Sequence, residues 1–144
     1  MRKLVALLLV LGCGSDSTGP GGVNLAGTWT ASLSNMSGSG VSCSSSSPTT
    51  LTLSQQGDSF TGAYSGGELT CNGPGGTASE FVGSGTILNG QLNGNNVSMD
   101  LDTPDFHLTG SVSGASMSGT ARWEIDFGQP TGVVVLNGNW GAAR

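Results

Sequence analysis

His107 is the only imidazole this 144-residue chain has for proton transfer, and its position argues against that use. Phe106 and Leu108 alternate to one face of their strand, which sends His107 to the other, opposite Arg122 on the next strand. A solvated imidazole beside a guanidinium is not poised as a general base. Serine is abundant, but without an inward histidine none of the hydroxyls has an activating partner. No cysteine and histidine cluster is spaced for zinc. Asp100, Asp102 and Asp105 gather around Thr103-Pro104. Carboxylates two and three residues apart in a tight loop are the donors calcium takes, a hard cation that wants several oxygens. The loop lacks the glycine and glutamate of an EF-hand, and surface acids capping a turn are the competing reading. The chain therefore reads as non-enzymatic, with no cofactor and one calcium candidate.

The elements that carry these residues repeat one pattern three times, over Leu51 to Tyr64, Leu88 to Leu101 and Leu108 to Ala121. Leucine stands six residues before a glycine (Gly57, Gly94, Gly114), and an apolar residue three after it (Phe60, Val97, Met117). A glycine that opens a two-residue turn suits type II′, whose twist matches the flanking strands. The expected same-face pairs are Leu51 with Tyr64, Leu53 with Gly62 and Gln55 with Phe60. Next come Leu88 with Leu101, Gly90 with Met99 and Leu92 with Val97. The third hairpin gives Phe106 with Trp123, Leu108 with Ala121, Gly110 with Gly119 and Val112 with Met117. One face is apolar or glycine and the other mostly polar, the mark of half-buried antiparallel hairpins. Sequential short-turn strands predict an all-β, up-and-down antiparallel meander closing into a barrel of about eight strands, which removes sheet edges. Leu25 to Leu33 reads as the first strand and Val133 to Trp140 as the last. Ser34 to Pro48 reads as a long loop. Glu68 to Cys71 reads as a short extra or bulged piece after a Gly66-Gly67 turn, with Cys71 opposite Gly62.

Met1-Arg2-Lys3 and the apolar run Leu4 to Leu11 form a basic n-region and an h-region too short to span a bilayer. Val10-Leu11-Gly12-Cys13 resembles the lipobox of bacterial lipoproteins. That resemblance implies cleavage before Cys13 and lipid on its thiol. It divides the chain into a signal peptide (1–12), a lipidated cysteine with a flexible Gly/Ser linker (13–23) and a β-barrel domain (24–144). It also implies an exported, membrane-anchored protein. Gly14 stands where the familiar inner-membrane retention signal places aspartate, which favours the outer membrane or cell surface over the inner. With Cys13 lipidated, Cys43 and Cys71 remain as a pair in an oxidising compartment, either bridged or as two free thiols.

Without Arg2 and Lys3 the chain keeps two basic residues against nine acids, a net charge of −7. Such a surface repels phosphate backbones and anionic head groups, so nucleic acid is excluded as a partner and membrane attachment must come from the lipid.

Asn24-Leu25-Ala26-Gly27-Thr28-Trp29 resembles the Gly-x-Trp opening strand of lipocalins and the Gly-Thr-Trp opening of avidins. Gly57 to Tyr64 is similar in pattern to the avidin second hairpin. A calycin-type barrel is what this implies, with room for a small apolar or amphipathic ligand lined by Trp29, Phe60, Tyr64, Phe106 and Trp123. None of the polar groups of avidin's biotin site is matched, so biotin binding is not carried over. The competing reading is a solid barrel packed by those aromatics, acting as a structural or protein-interaction module of the envelope. Interior glycines (Gly27, Gly62, Gly90, Gly110, Gly119) either enlarge a cavity or relieve crowding. A cavity of about 300 Å3 separates the two readings.

Overall fold

Nine strands follow in the computed structural model, which describes residues 22–103 and 105–144. They are β1 (Gly27–Gly38), β2 (Val41–Gln56), β3 (Ser59–Gly73), β4 (Gly76–Phe81), β5 (Ser84–Asn93), β6 (Asn96–Leu101), β7 (Phe106–Ser113), β8 (Ser116–Asp126) and β9 (Val133–Ala143). Every pairing is antiparallel, and eight strands close a ring in the order β1-β2-β3-β5-β6-β7-β8-β9. β4 lies outside the ring. β3 is long enough to pair its Ser59–Ser65 part with β5 and its Glu68–Gly73 part with β4, so β4 and β5 follow one another along the same edge of β3.

The repeated turns set the register. Gly57, Gly94 and Gly114 have φ near +60°, and the residue after each does not share the positive φ, as type II′ requires. The first and third hairpins pair residue for residue as their sequences imply. Along β8, Met117, Ala121, Trp123 and Ile125 are buried while Thr120, Arg122 and Asp126 face outward.

The second hairpin departs from expectation. Asn89 and Gly90 on β5 stand against Met99 alone on β6, a bulge with Asn89 in the left-handed region at φ 52°. The extra residue reverses the faces before it: Ile87, not Leu88, pairs with Leu101 and enters the core, and Leu88 is left exposed. Gly90 lies beneath Phe60, where a Cβ would fall 2.2 Å from the Phe60 carbonyl oxygen and 2.6 Å from its ring. At Gly110–Gly119 the backbones of β7 and β8 approach closely enough that a Cβ on Gly119 would sit 2.0 Å from the Thr109 oxygen. These interior glycines relieve crowding.

Ser34 to Pro48 is not a loop. β1 and β2 continue through it to a two-residue turn at Ser39-Gly40, both at positive φ as type I′ demands. Met36, Val41 and Cys43 alternate inward while serines fill the outer face. Pairing of β1 with β2 lapses between Ala31 and Met36, opposite Ser44–Pro48. Pro48, which has no N–H to donate, is tolerated in that lapse, and the Ser45 hydroxyl accepts the Leu33 N–H at 2.8 Å. Gly66-Gly67 is not a turn either. Both residues have positive φ, but β3 runs on through them in unbroken register with β2, the one irregularity being an extra residue at Ser46 on β2, so that Cys71 pairs with Cys43 rather than lying opposite Gly62.

Candidate functional site

The five aromatics expected to line a ligand cavity all point inward: Trp29, Phe60, Tyr64, Phe106 and Trp123 are each no more than 3% exposed. Phe106 and Trp123, directly paired across β7 and β8, stack with ring centroids 4.6 Å apart and planes 6° apart. Trp140 joins them inside and donates its indole N–H to the Thr109 oxygen at 2.9 Å. The cavity bordered by Leu51, Leu101, Phe106, Leu108 and Trp140 measures about 20 Å3. That is room for one water, whereas ligand pockets begin at about 300 Å3.

One barrel end is closed by the residues that lead into β1. Gln55, a polar side chain within the apolar stripe, accepts the Leu25 N–H at 2.5 Å and donates to the Val23 and Gly57 oxygens at 3.0 and 2.8 Å. Leu25 is thereby buried, and its carbonyl accepts the Trp29 indole N–H at 2.8 Å. Arg144 completes the closure, donating to the Ala26 and Asn24 oxygens with its guanidinium 4.5 Å from the centre of the Trp29 ring. The sequence signals Gln55 as a polar residue in an apolar row. It gives no sign of Arg144, whose partners are more than a hundred residues away.

At the other end Tyr64 donates its hydroxyl to Asp102 at 2.8 Å. Burial first, then the Asp102 carboxylate, pushes the Tyr64 phenol up to about 12. Asp102 is held below the usual carboxylate range by hydrogen bonding to the Thr86 backbone and then by Tyr64. Asp100 faces different partners: His107 Nδ1 at 2.6 Å and the Asn89 amide at 2.8 Å. Burial raises its pKa, and the two hydrogen bonds with the His107 interaction outweigh that, for a net lowering. Two of the three aspartates of the calcium candidate thus have other partners, Asp102 in Tyr64 and Asp100 in His107 and Asn89. Among the described residues no three His, Cys, Asp or Glu side chains are grouped for a metal. His107 is exposed and stands opposite Arg122, as the alternation implies.

Cys43 and Cys71 are bridged between β2 and β3, with Cα atoms 4.0 Å apart. Because the Ser34 to Pro48 stretch is strand, the bridge staples two directly paired strands. Cys13 and the signal segment lie outside the described residues.

A comparison of the chain with known proteins finds no matching family model, no matching curated protein and no matching solved structure.

Proposed function

We propose that this chain is a lipid-anchored lipoprotein of the bacterial envelope whose barrel serves as a solid, non-enzymatic interaction module. The observation that carries the reading is the filled interior. Trp29 and Trp123 are buried, and the cavity beside Phe106 and Trp140, at about 20 Å3, is over tenfold smaller than a small-molecule site. The larger hollows, of about 310 and 230 Å3, lie at the open rim among polar side chains and turns and not within the aromatic core. An internal lipocalin-like ligand has no comparable support. With the core closed to ligands, the outer surface and strand edges are left to carry function. The lipobox resemblance at Cys13 supplies the anchor, and the Cys43–Cys71 bridge fits an oxidising compartment outside the cytoplasm.

Fractionation of the producing cells tests the reading. Wild-type chain belongs in the membrane fraction, outer membrane or surface, with an intact mass that includes a diacylglyceryl group on Cys13. Cys13→Ser belongs in the soluble exported fraction. Retention of the serine variant on membranes contradicts the anchor.

A further inference from the structure

The barrel wall is not level at the Tyr64–Asp102 end. β6 and β7 meet at a turn just past Leu101, while β8 and β9 continue to Asp126 and Val133, and β4 stands on the upper part of β3. A notch is left above the β6–β7 turn, with β4 on one side and the end of β8 on the other. Glu80, Thr103, Trp123, Glu124, Asp126 and Val133 surround a space of about 310 Å3 there. A second hollow, of about 230 Å3, lies between the β3–β4 turn and Phe127, Pro130 and Thr131.

β4 borders this notch with a free edge. It is the last strand of the sheet, and among the described residues no strand pairs with its far side. The hydrogen-bonding phase follows from the two-residue turn that joins Gly73 to Gly76. In an antiparallel pair bonded and non-bonded positions alternate. Counting from Gly76, β3 takes the backbone groups of Gly76, Ala78 and Glu80. Val82 continues the series, with its N–H on the Gly67 oxygen at 3.1 Å. Thr77, Ser79 and Phe81 therefore present N–H and C=O outward. Natural edges of this kind are blunted by short length, charged side chains, proline, bulges or a covering segment. The six residues of β4 contain no proline and one charge, Glu80, their ladder to β3 has no bulge, and Phe81 is 66% exposed.

Charge selects the occupant. Glu80, Glu124 and Asp126 line the notch, Glu124 with Arg122 at 3.6 Å and Asp126 accepting the Gly128 N–H at 2.8 Å, while burial pushes the Glu80 carboxyl up, a penalty that a cation beside it would relieve. A second copy of this chain would set acid against acid. The two arginines among the described residues are already engaged, Arg122 with Glu124 at 3.6 Å and Arg144 with backbone oxygens at the opposite end. We infer that the free edge of β4 accepts an extended, lysine- or arginine-bearing segment of a partner polypeptide, which adds as a strand and directs alternate basic side chains to Glu80, Glu124 and Asp126. Strand addition draws its affinity from main-chain hydrogen bonds and its selectivity from the side chains on alternate positions. This names the partner of the interaction module proposed above and rests on that reading. The two fail separately, since loss of edge binding leaves the filled core and the anchor untouched.

Amide hydrogen exchange on the full-length chain in mild detergent tests it, with a synthetic decapeptide alternating lysine and valine and a second in which glutamate replaces lysine. The lysine peptide is expected to slow exchange at Thr77, Ser79 and Phe81 at least tenfold, and the glutamate peptide to leave them unchanged. Ser79→Pro removes an outward N–H that β3 does not use, so it should abolish the protection while the three II′ hairpins keep their exchange rates. Glu80→Lys leaves every backbone group in place and should weaken the lysine peptide by tenfold or more. Failure of the lysine peptide to protect the edge overturns the inference. So does equal protection by both peptides, survival of the lysine-peptide effect in Glu80→Lys, or edge amides already slow before any peptide is added, which would mean a second copy or the chain's own leading residues cover them.

Discussion

Replacing both Cys43 and Cys71 by alanine should lower the melting temperature by about 10–15 °C and loosen one end of the barrel before the other. The bridge closes a loop of 28 residues, for which the chain-entropy relation gives about 3.5 kcal/mol at 25 °C. A domain of roughly 120 residues unfolds with an entropy near 0.25 kcal/mol per degree, so that loss converts to about 14 °C. The location follows from the topology. Cys43 and Cys71 pair in the upper parts of β2 and β3, where the outer neighbours are β4 and the short Met36–Gly38 end of β1, which pairs again only past the lapse. The Phe106–Trp123 part of the ring has unbroken partners on both sides, and the Leu51–Tyr64 hairpin is unbroken within itself and against β1. Differential scanning calorimetry gives the midpoint, and hydrogen exchange gives the order in which segments open. Amides of Met36–Cys43 and Leu69–Phe81 should exchange faster in the variant than in the wild type, with the II′ hairpins little changed. A midpoint shift under about 3 °C, or loosening that begins at Gly57, Gly94 and Gly114, would refute the argument.

Tyr64 is the chain's single tyrosine, so an absorbance titration reads it alone and should give a midpoint near 12. Its folded pKa is raised, so its contribution to stability is complete below about pH 10 and is lost as the pH rises towards 12. Asp102 runs the other way: its pKa is lowered, and its contribution, present above the ordinary carboxylate range, is lost as the pH falls through it. Urea midpoints measured across pH should bend at both ends, and Tyr64→Phe should remove the alkaline bend. Gly90→Ala places a methyl 2.2 Å from the Phe60 oxygen, so urea denaturation should show a loss of about 1–3 kcal/mol. Arg144→Ala removes two hydrogen bonds and the contact with Trp29. It should cost about 1–2 kcal/mol in the same assay and shift the tryptophan fluorescence.

How much of this fold could be read beforehand depended on how regular each hairpin was. Phe106–Trp123 and Leu51–Tyr64 alternate without interruption, so glycine at the first turn position was enough to set every pair. Leu88 was misplaced because one added residue at Asn89-Gly90 reverses the face of everything before it, and the sequence shows the bulge only as an asparagine beside a glycine. Ser34 to Pro48 was misread because serine on the outer face of a strand looks like serine in a loop. Only Met36, Val41 and Cys43 carried the inward period. Gly66-Gly67 looked like a reversal because two left-handed glycines suit a turn, yet pairing with β2 on both sides of them keeps β3 straight enough to continue. The inward direction of Trp29, Phe60, Tyr64, Phe106 and Trp123 was legible from alternation alone. Whether they enclosed space was not, because it depends on ring placements such as Phe60 over Gly90 that no periodicity encodes. The β4 edge was hidden for a related reason: its six residues are exposed on both faces and carry almost no alternation.

The claim on which the rest depends is that the barrel is filled by its own side chains. Native mass spectrometry of the chain purified from its own host, as the soluble Cys13→Ser form, tests this most directly. The filled barrel predicts a single species at the mass of the processed chain with its Cys43–Cys71 bridge intact and no small molecule retained. A stoichiometric non-covalent companion of a few hundred daltons that persists through gentle desolvation would contradict it.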